Sequence, residues 1–147
     1  AALRRLAAKL TEADPRSEDA RNDFAFLSLL LFEDMERASR LARELYQEHP
    51  DNAAYASTHA LALHLYGRSE EALGIMKKLP PERLEEPSVA AYYAILLVAN
   101  REPARAIPFL RLAESARFLP EERRMIAEAA NAVAMVAGSL TSGDGLR

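Results

Sequence analysis

The sequence predicts an all-α chain built as a row of helical hairpins, and three observations carry that prediction. Apolar residues recur at intervals of three and four along most of its length. Short turns rich in proline, glycine or aspartate interrupt these runs at regular distances. Ala38, Ala72 and Ala106 stand 34 residues apart, and Leu29, Leu63 and Leu97 keep the same period. No segment alternates apolar and polar residues as a half-buried strand does. At 147 residues the chain is long enough for one compact domain or one short array.

The elements follow in order. Leu3, Leu6, Ala7 and Leu10 share one helical face, with Arg4, Arg5 and Lys9 opposite, which predicts a helix over 1–14. Pro15 stops it, because proline disfavours helix in the residue before it. The opening residues read as the middle of a helix, and a fragment of a longer protein is expected. Ser17 or Asp19 is placed to cap the next helix. That helix carries Phe24 to Phe32 and is apolar almost all round, so it needs cover on several sides. Glu33 and Asp34 break the run. Met35, Ala38, Leu41, Ala42, Leu45 and Tyr46 then line one face of the partner helix. Its other face holds Glu36, Arg37, Arg40, Arg43 and Glu44, with Glu36 and Arg40 spaced as an i,i+4 ion pair. These two helices form a hairpin over 18–49.

The second hairpin, 53–80, runs from Tyr55 to Leu79 and turns at Gly67. Pro80 and Pro81 cut it short, leaving 82–86 as a connection. Pro87 opens a third hairpin over 87–118, in which Asn100 is expected to supply a left-handed helix cap and Pro103 to start the second helix. Glu121 and Glu122 begin a last helix over 120–137, closed by Gly138, and residues 138–147 are expected to form a flexible tail. The total is eight helices.

Composition removes several classes of function. Half the residues are apolar, 28% are charged and the net charge is -3, which gives no electrostatic ground for nucleic acid or an anionic membrane. The longest apolar run, 89–99, is far short of the roughly 20 residues of a membrane span. Cysteine is absent, so disulfides and thiolate metal sites are excluded while the compartment stays open between cytoplasm and periplasm. Arginine outnumbers lysine and alanine is abundant, an association with GC-rich bacterial genomes.

Residues 67–72, Gly-Arg-Ser-Glu-Glu-Ala, resemble the turn and second-helix start of the tetratricopeptide repeat family, whose unit is a 34-residue helix-turn-helix. Ala38 to Tyr46 with Pro50, and Ala106, Leu110 and Ala113, are similar to the same template. The first helices depart from it: Asn22, Ala56 and Ala90 stand where the family favours tryptophan. The resemblance spans 1–137 as an orphan second helix, three hairpins and a final helix. It implies a right-handed superhelix (an α-solenoid) of antiparallel hairpins, each touching mainly its neighbours.

Candidate chemistry is sparse. His59 and His64 are five residues apart and do not share a face as i,i+4 metal ligands do. Glu70-Glu71, Glu85-Glu86 and Glu121-Glu122 sit at helix starts or in a connection, where they suit the helix dipole better than acid-base work. No serine lies in a nucleophile elbow and no glycine-rich phosphate loop is present. Tyr92 and Tyr93 point about 100° apart, so at most one can line a groove.

The resemblance implies a concave groove lined by first helices. Carried over by repeat phase, it assigns Asp23, Leu27, Leu30 and Leu31 from the first hairpin, Ser57, Leu61, His64 and Leu65 from the second, and Ala91, Ile95 and Val98 from the third. The lysines, arginines and asparagines with which one family branch clamps carboxylates there are absent. The expectation is a non-enzymatic scaffold without cofactor or metal, binding an apolar helix or extended segment of a protein or peptide partner in that groove. The alternative is a spacer or oligomerisation element whose groove is filled by its own chain or a second copy.

Overall fold

The computed structural model describes residues 2–142. They form helices and no strand: α1 (Ala2–Ala13), α2 (Glu18–Leu30), α3 (Met35–Glu48), α4 (Ala53–Leu65), α5 (Ser69–Lys77), α6 (Pro81–Leu84), α7 (Pro87–Ala99), α8 (Pro103–Ala113) and α9 (Pro120–Ser142). The all-helical class is as expected. The helix beyond the expected eight is α6, a single turn inside the connection. Pro81 starts it at a position where a missing N–H costs nothing, and Leu84 buries its side chain. α9 runs through Gly138 to Ser142 and does not stop at the glycine. Residues 143–147 of the expected tail lie outside the described residues.

The chain divides into two compact units, Ala1–Leu79 and Pro80–Arg147. In the first, α2 and α3 form one hairpin and α4 and α5 another; α1 packs on α2, α3 on α4, and α2 on α4. In the second, α7 and α8 form a hairpin, α9 packs on both, and α6 lies against α7. Each unit therefore stacks neighbouring helices, with first helix against first helix as well as within the hairpin.

The turns explain why each hairpin folds back. Ser17 caps α2, its Oγ accepting from Ala20 N at 3.2 Å, and Asn52 Oδ1 caps α4 by accepting from Tyr55 N at 3.1 Å. The three hairpin turns share one ending. A left-handed residue follows the C-cap, and the next N–H reaches back to a carbonyl in the last helical turn: Glu33 N to Ser28 O, Arg68 N to Leu63 O, Glu102 N to Leu97 O. The left-handed residues are Phe32, Gly67 and Arg101, with φ of 52°, 78° and 63°. Arg101 takes that conformation in place of the expected Asn100, which has φ -95° and donates from its side chain to Leu96 O at 2.7 Å.

Ala38, Ala72 and Ala106 are all fully buried. With no exposed surface at any of them, a larger side chain has no solvent to turn into, which is a steric reason for a small residue at this period. Leu29 and Leu97 are fully buried too, while Leu63 is only half-buried. α7 is buried without a break from Val89 to Leu97. α2 is less enclosed than its sequence suggests: Phe26, Leu27 and Leu31 are half-buried and Phe32 is 69% exposed.

Candidate functional site

The expected groove residues divide by burial. In the first unit Leu30, Ser57 and Leu61 are buried, Leu61 to 2% exposure. Ser57 turns its hydroxyl inward, donating to Ala53 O at 2.7 Å. Leu27, Leu31, His64 and Leu65 are half-buried and Asp23 is exposed. In the second unit Ala91 and Ile95 are buried and Val98 is half-buried. The reason in the second unit is that α7 lies against α6, α8 and α9, and a helix apolar all round keeps no face free. The accessible part of the expected surface is thus Asp23, Leu27, Leu31, His64 and Leu65 in one unit and Val98 in the other. Partial burial, then the nearby Asp19 carboxylate, raises the Asp23 carboxyl above its usual range. His64 Nδ1 shares a 2.7 Å hydrogen bond with Ser69 Oγ, and burial lowers its pKa.

Two tyrosine–carboxylate bonds tie first helix to first helix. In the first unit Tyr55 on α4 donates from its hydroxyl to Asp19 Oδ1 on α2 at 2.7 Å, and burial followed by that bond pushes the phenol up to about 12. Asp19 is therefore a cross-helix anchor, and Ser17 alone is the cap. In the second unit Tyr92 on α7 donates to Glu122 Oε1 on α9 at 2.6 Å, with both side chains buried. Glu122 Oε2 also accepts from Leu119 N at 2.8 Å, the reach-back of a third-position glutamate to the N-cap amide. Burial, then the negative charge of Glu122, raises the Tyr92 phenol well above its ordinary value. Tyr93 packs edge-to-face on Phe109 with centroids 4.6 Å apart. Neither tyrosine is a ligand platform, and Glu122 does more than favour a dipole.

A cleft of about 350 Å³ opens in the first unit between the N-terminal half of α3 and the C-terminal half of α4. Ala62, Leu63 and His59 line it from α4, Glu36, Ser39, Arg40 and Arg43 from α3, and Tyr66 and Arg68 from the turn. His59 stacks on Tyr46 at 5.2 Å, and its Nδ1 is buried without a hydrogen-bond partner, as is Ser39 Oγ. Burial, then the positive charges of Arg43 and Arg68, lowers the His59 pKa. Arg68 is held by Glu71 through two hydrogen bonds of 2.8 and 2.7 Å. Arg40 and Glu36 stand 3.9 Å apart, a loose exposed pair.

The sequence places Arg40 and Arg43 on the charged face of α3, where no cleft is expected. The signal was present at one position. Ser39 falls where the 34-residue period places Leu73 and Ile107 in the later hairpins. Ser39 and the half-buried Leu63 line the cleft together, and a serine side chain fills less of that space than a leucine or isoleucine would.

One further cluster joins residues distant in sequence. Glu18, Glu48 and His49 bring one potential metal-ligand atom each within 4.8 Å of one another. His49 Nε2 already lies 2.9 Å from Glu18 Oε2, and its ring meets Tyr55 at 5.9 Å, so the group serves to join the start of α2 to the end of α3. No described helix is long and apolar enough to cross a membrane. No protein-family model, curated protein or solved structure matches the chain.

Proposed function

We propose that this chain is a non-enzymatic protein-interaction module, a tetratricopeptide-like array of hairpins wound as a right-handed superhelix. The observation that carries this reading is the complete burial of Ala38, Ala72 and Ala106 at 34-residue spacing on three second helices. Such an array has no central cavity for a reacting centre; its capacity lies in extended surfaces between stacked hairpins. A partner segment would meet the accessible apolar residues Leu27, Leu31 and Leu65 of the first unit. Apolar burial at about 25 cal/mol per Å² would drive that association, so salt would change it little.

The test is photo-crosslinking from Leu27, Leu31 and Leu65 in the source cell, then titration of each captured protein in purified form. Saturable binding that is lost in Leu27→Asp and Leu65→Asp is the expected result. Captured proteins whose purified forms show no saturable binding would overturn the reading.

A second reading rests on the outer helices. Leu3 and Leu6 on α1 and Met135 and Val136 on α9 are exposed, Met135 to 76%. Apolar side chains of that size favour a spacer that associates through these faces with further helices or a second copy. Light scattering across a concentration series separates the two: a monomer at all concentrations removes self-association.

A further inference from the structure

The cleft between α3 and α4 combines three features that no ordinary seam between packed helices shares. Its floor is apolar, with Leu63 half-buried and the Tyr66 ring 54% exposed. Its rim is cationic, with three arginines against one glutamate. Its lining includes two residues, Ser39 and His59, that each bury a polar atom without a partner.

The charges decide what it takes. Arg68 is committed to Glu71 by two hydrogen bonds, and Arg40 is shared with Glu36. Arg43 has no ion-pair partner among the described residues. The uncommitted charge therefore matches one carboxylate. A phosphate dianion would face Glu36 with too few free donors, and a nucleic acid needs a longer cationic track with exposed bases stacked on aromatics. The volume is near the lower bound of roughly 300–1,000 Å³ for ligand sites, room for neighbouring side chains of a peptide but not for a large cofactor.

We propose that this cleft receives a side-chain carboxylate of a partner protein, held by Arg43 and Arg40, with an adjacent leucine or phenylalanine seated on Leu63 and Tyr66. The proposal rests on the interaction-module reading and names a different face from the apolar surface of the first helices. Ser39 lines the cleft and carries no charge, so a leucine there fills part of the site without touching a charge.

The experiment selects a displayed library of random eight-residue peptides on the full chain, then measures the enriched peptides by titration. The expected peptides carry aspartate or glutamate beside leucine or phenylalanine. Their affinity falls about tenfold or more with glutamine in place of glutamate, and by a similar factor for Arg43→Glu. It also falls as salt rises, because the rim is exposed. Ser39→Leu abolishes binding while the thermal midpoint stays level or rises, which separates cleft filling from unfolding. Inorganic phosphate does not displace the peptides at equal concentration; displacement would overturn the carboxylate assignment in favour of a general anion site. Enriched peptides that lack acidic residues, or that bind Arg43→Glu and Ser39→Leu as well as the parent chain, would overturn the cleft. If those peptides instead lost binding in Leu27→Asp, the module reading would stand without this site.

Discussion

Leu63 and Leu97 occupy the same place in two hairpins of one 34-residue register, and only Leu97 is fully buried. The two units differ in the same sense at their tyrosine bonds. Tyr55 in the first unit meets Asp19, an exposed carboxylate, whereas Tyr92 in the second meets Glu122, which is buried and also holds the α9 N-cap amide. The first unit leaves a cleft with arginines at its rim; α7 in the second is enclosed from Val89 to Leu97. The register sets where small residues must stand so that helices approach. How completely the rest of a seam is filled depends on the side chains around it, Ser39 among them where the cleft opens.

The largest effect should break both units equally. Ala72→Arg and Ala106→Arg each place a long charged side chain at a fully buried position and should destabilise by about 3 kcal/mol or more, through overpacking and an unpaired charge. Urea midpoints close to the parent for either variant would remove the shared register.

The next effect should separate the units. Tyr92→Phe leaves a buried carboxylate short of a donor and should cost about 1–3 kcal/mol, while Tyr55→Phe, whose partner is solvated, should cost about 1 kcal/mol or less. Equal losses in denaturant titrations would mean that the two bonds do the same work.

The turns give a smaller contrast. Gly67→Ala meets no neighbouring atom, yet φ of +78° strains any Cβ, so a loss of about 1 kcal/mol is expected. Arg101→Gly relieves the same strain and should stabilise by up to about 1 kcal/mol. Thermal midpoints moving in the same direction would show that another contact governs one of the turns.

The smallest effect concerns pH. All three histidines lie in the first unit, and the folded pKa values of His59 and His64 are lowered, chiefly by burial. Below about 6.5 the unfolded chain binds protons that the folded chain resists, so stability present above that pH is lost as pH falls toward the folded values. Protection factors for hydrogen exchange, corrected for the intrinsic rate at each pH, should therefore fall first in α4 and α5 on acidification, and His59→Phe with His64→Asn should blunt the change. An equal fall in protection in α7 would assign the acid sensitivity to carboxylates.

The sequence alone determined the all-helical class, the hairpin order and the three buried alanines, because helical periodicity, proline and glycine turns and a fixed repeat are local signals. It also placed the turn of the second hairpin at Gly67, which has φ of 78°. Tertiary structure decided the rest. Leu61, Ala91 and Ile95 share the apolar character of Leu27 and Val98, yet they are buried and those are not. Nothing in a helix apolar all round says which side its neighbours will cover. Asp19 and Glu122 read as helix-start carboxylates until Tyr55 and Tyr92 are brought to them from other helices. The cleft needs Ser39, Arg43, His59 and Leu63 on facing helices, and only packing α3 on α4 makes those separate residues one surface.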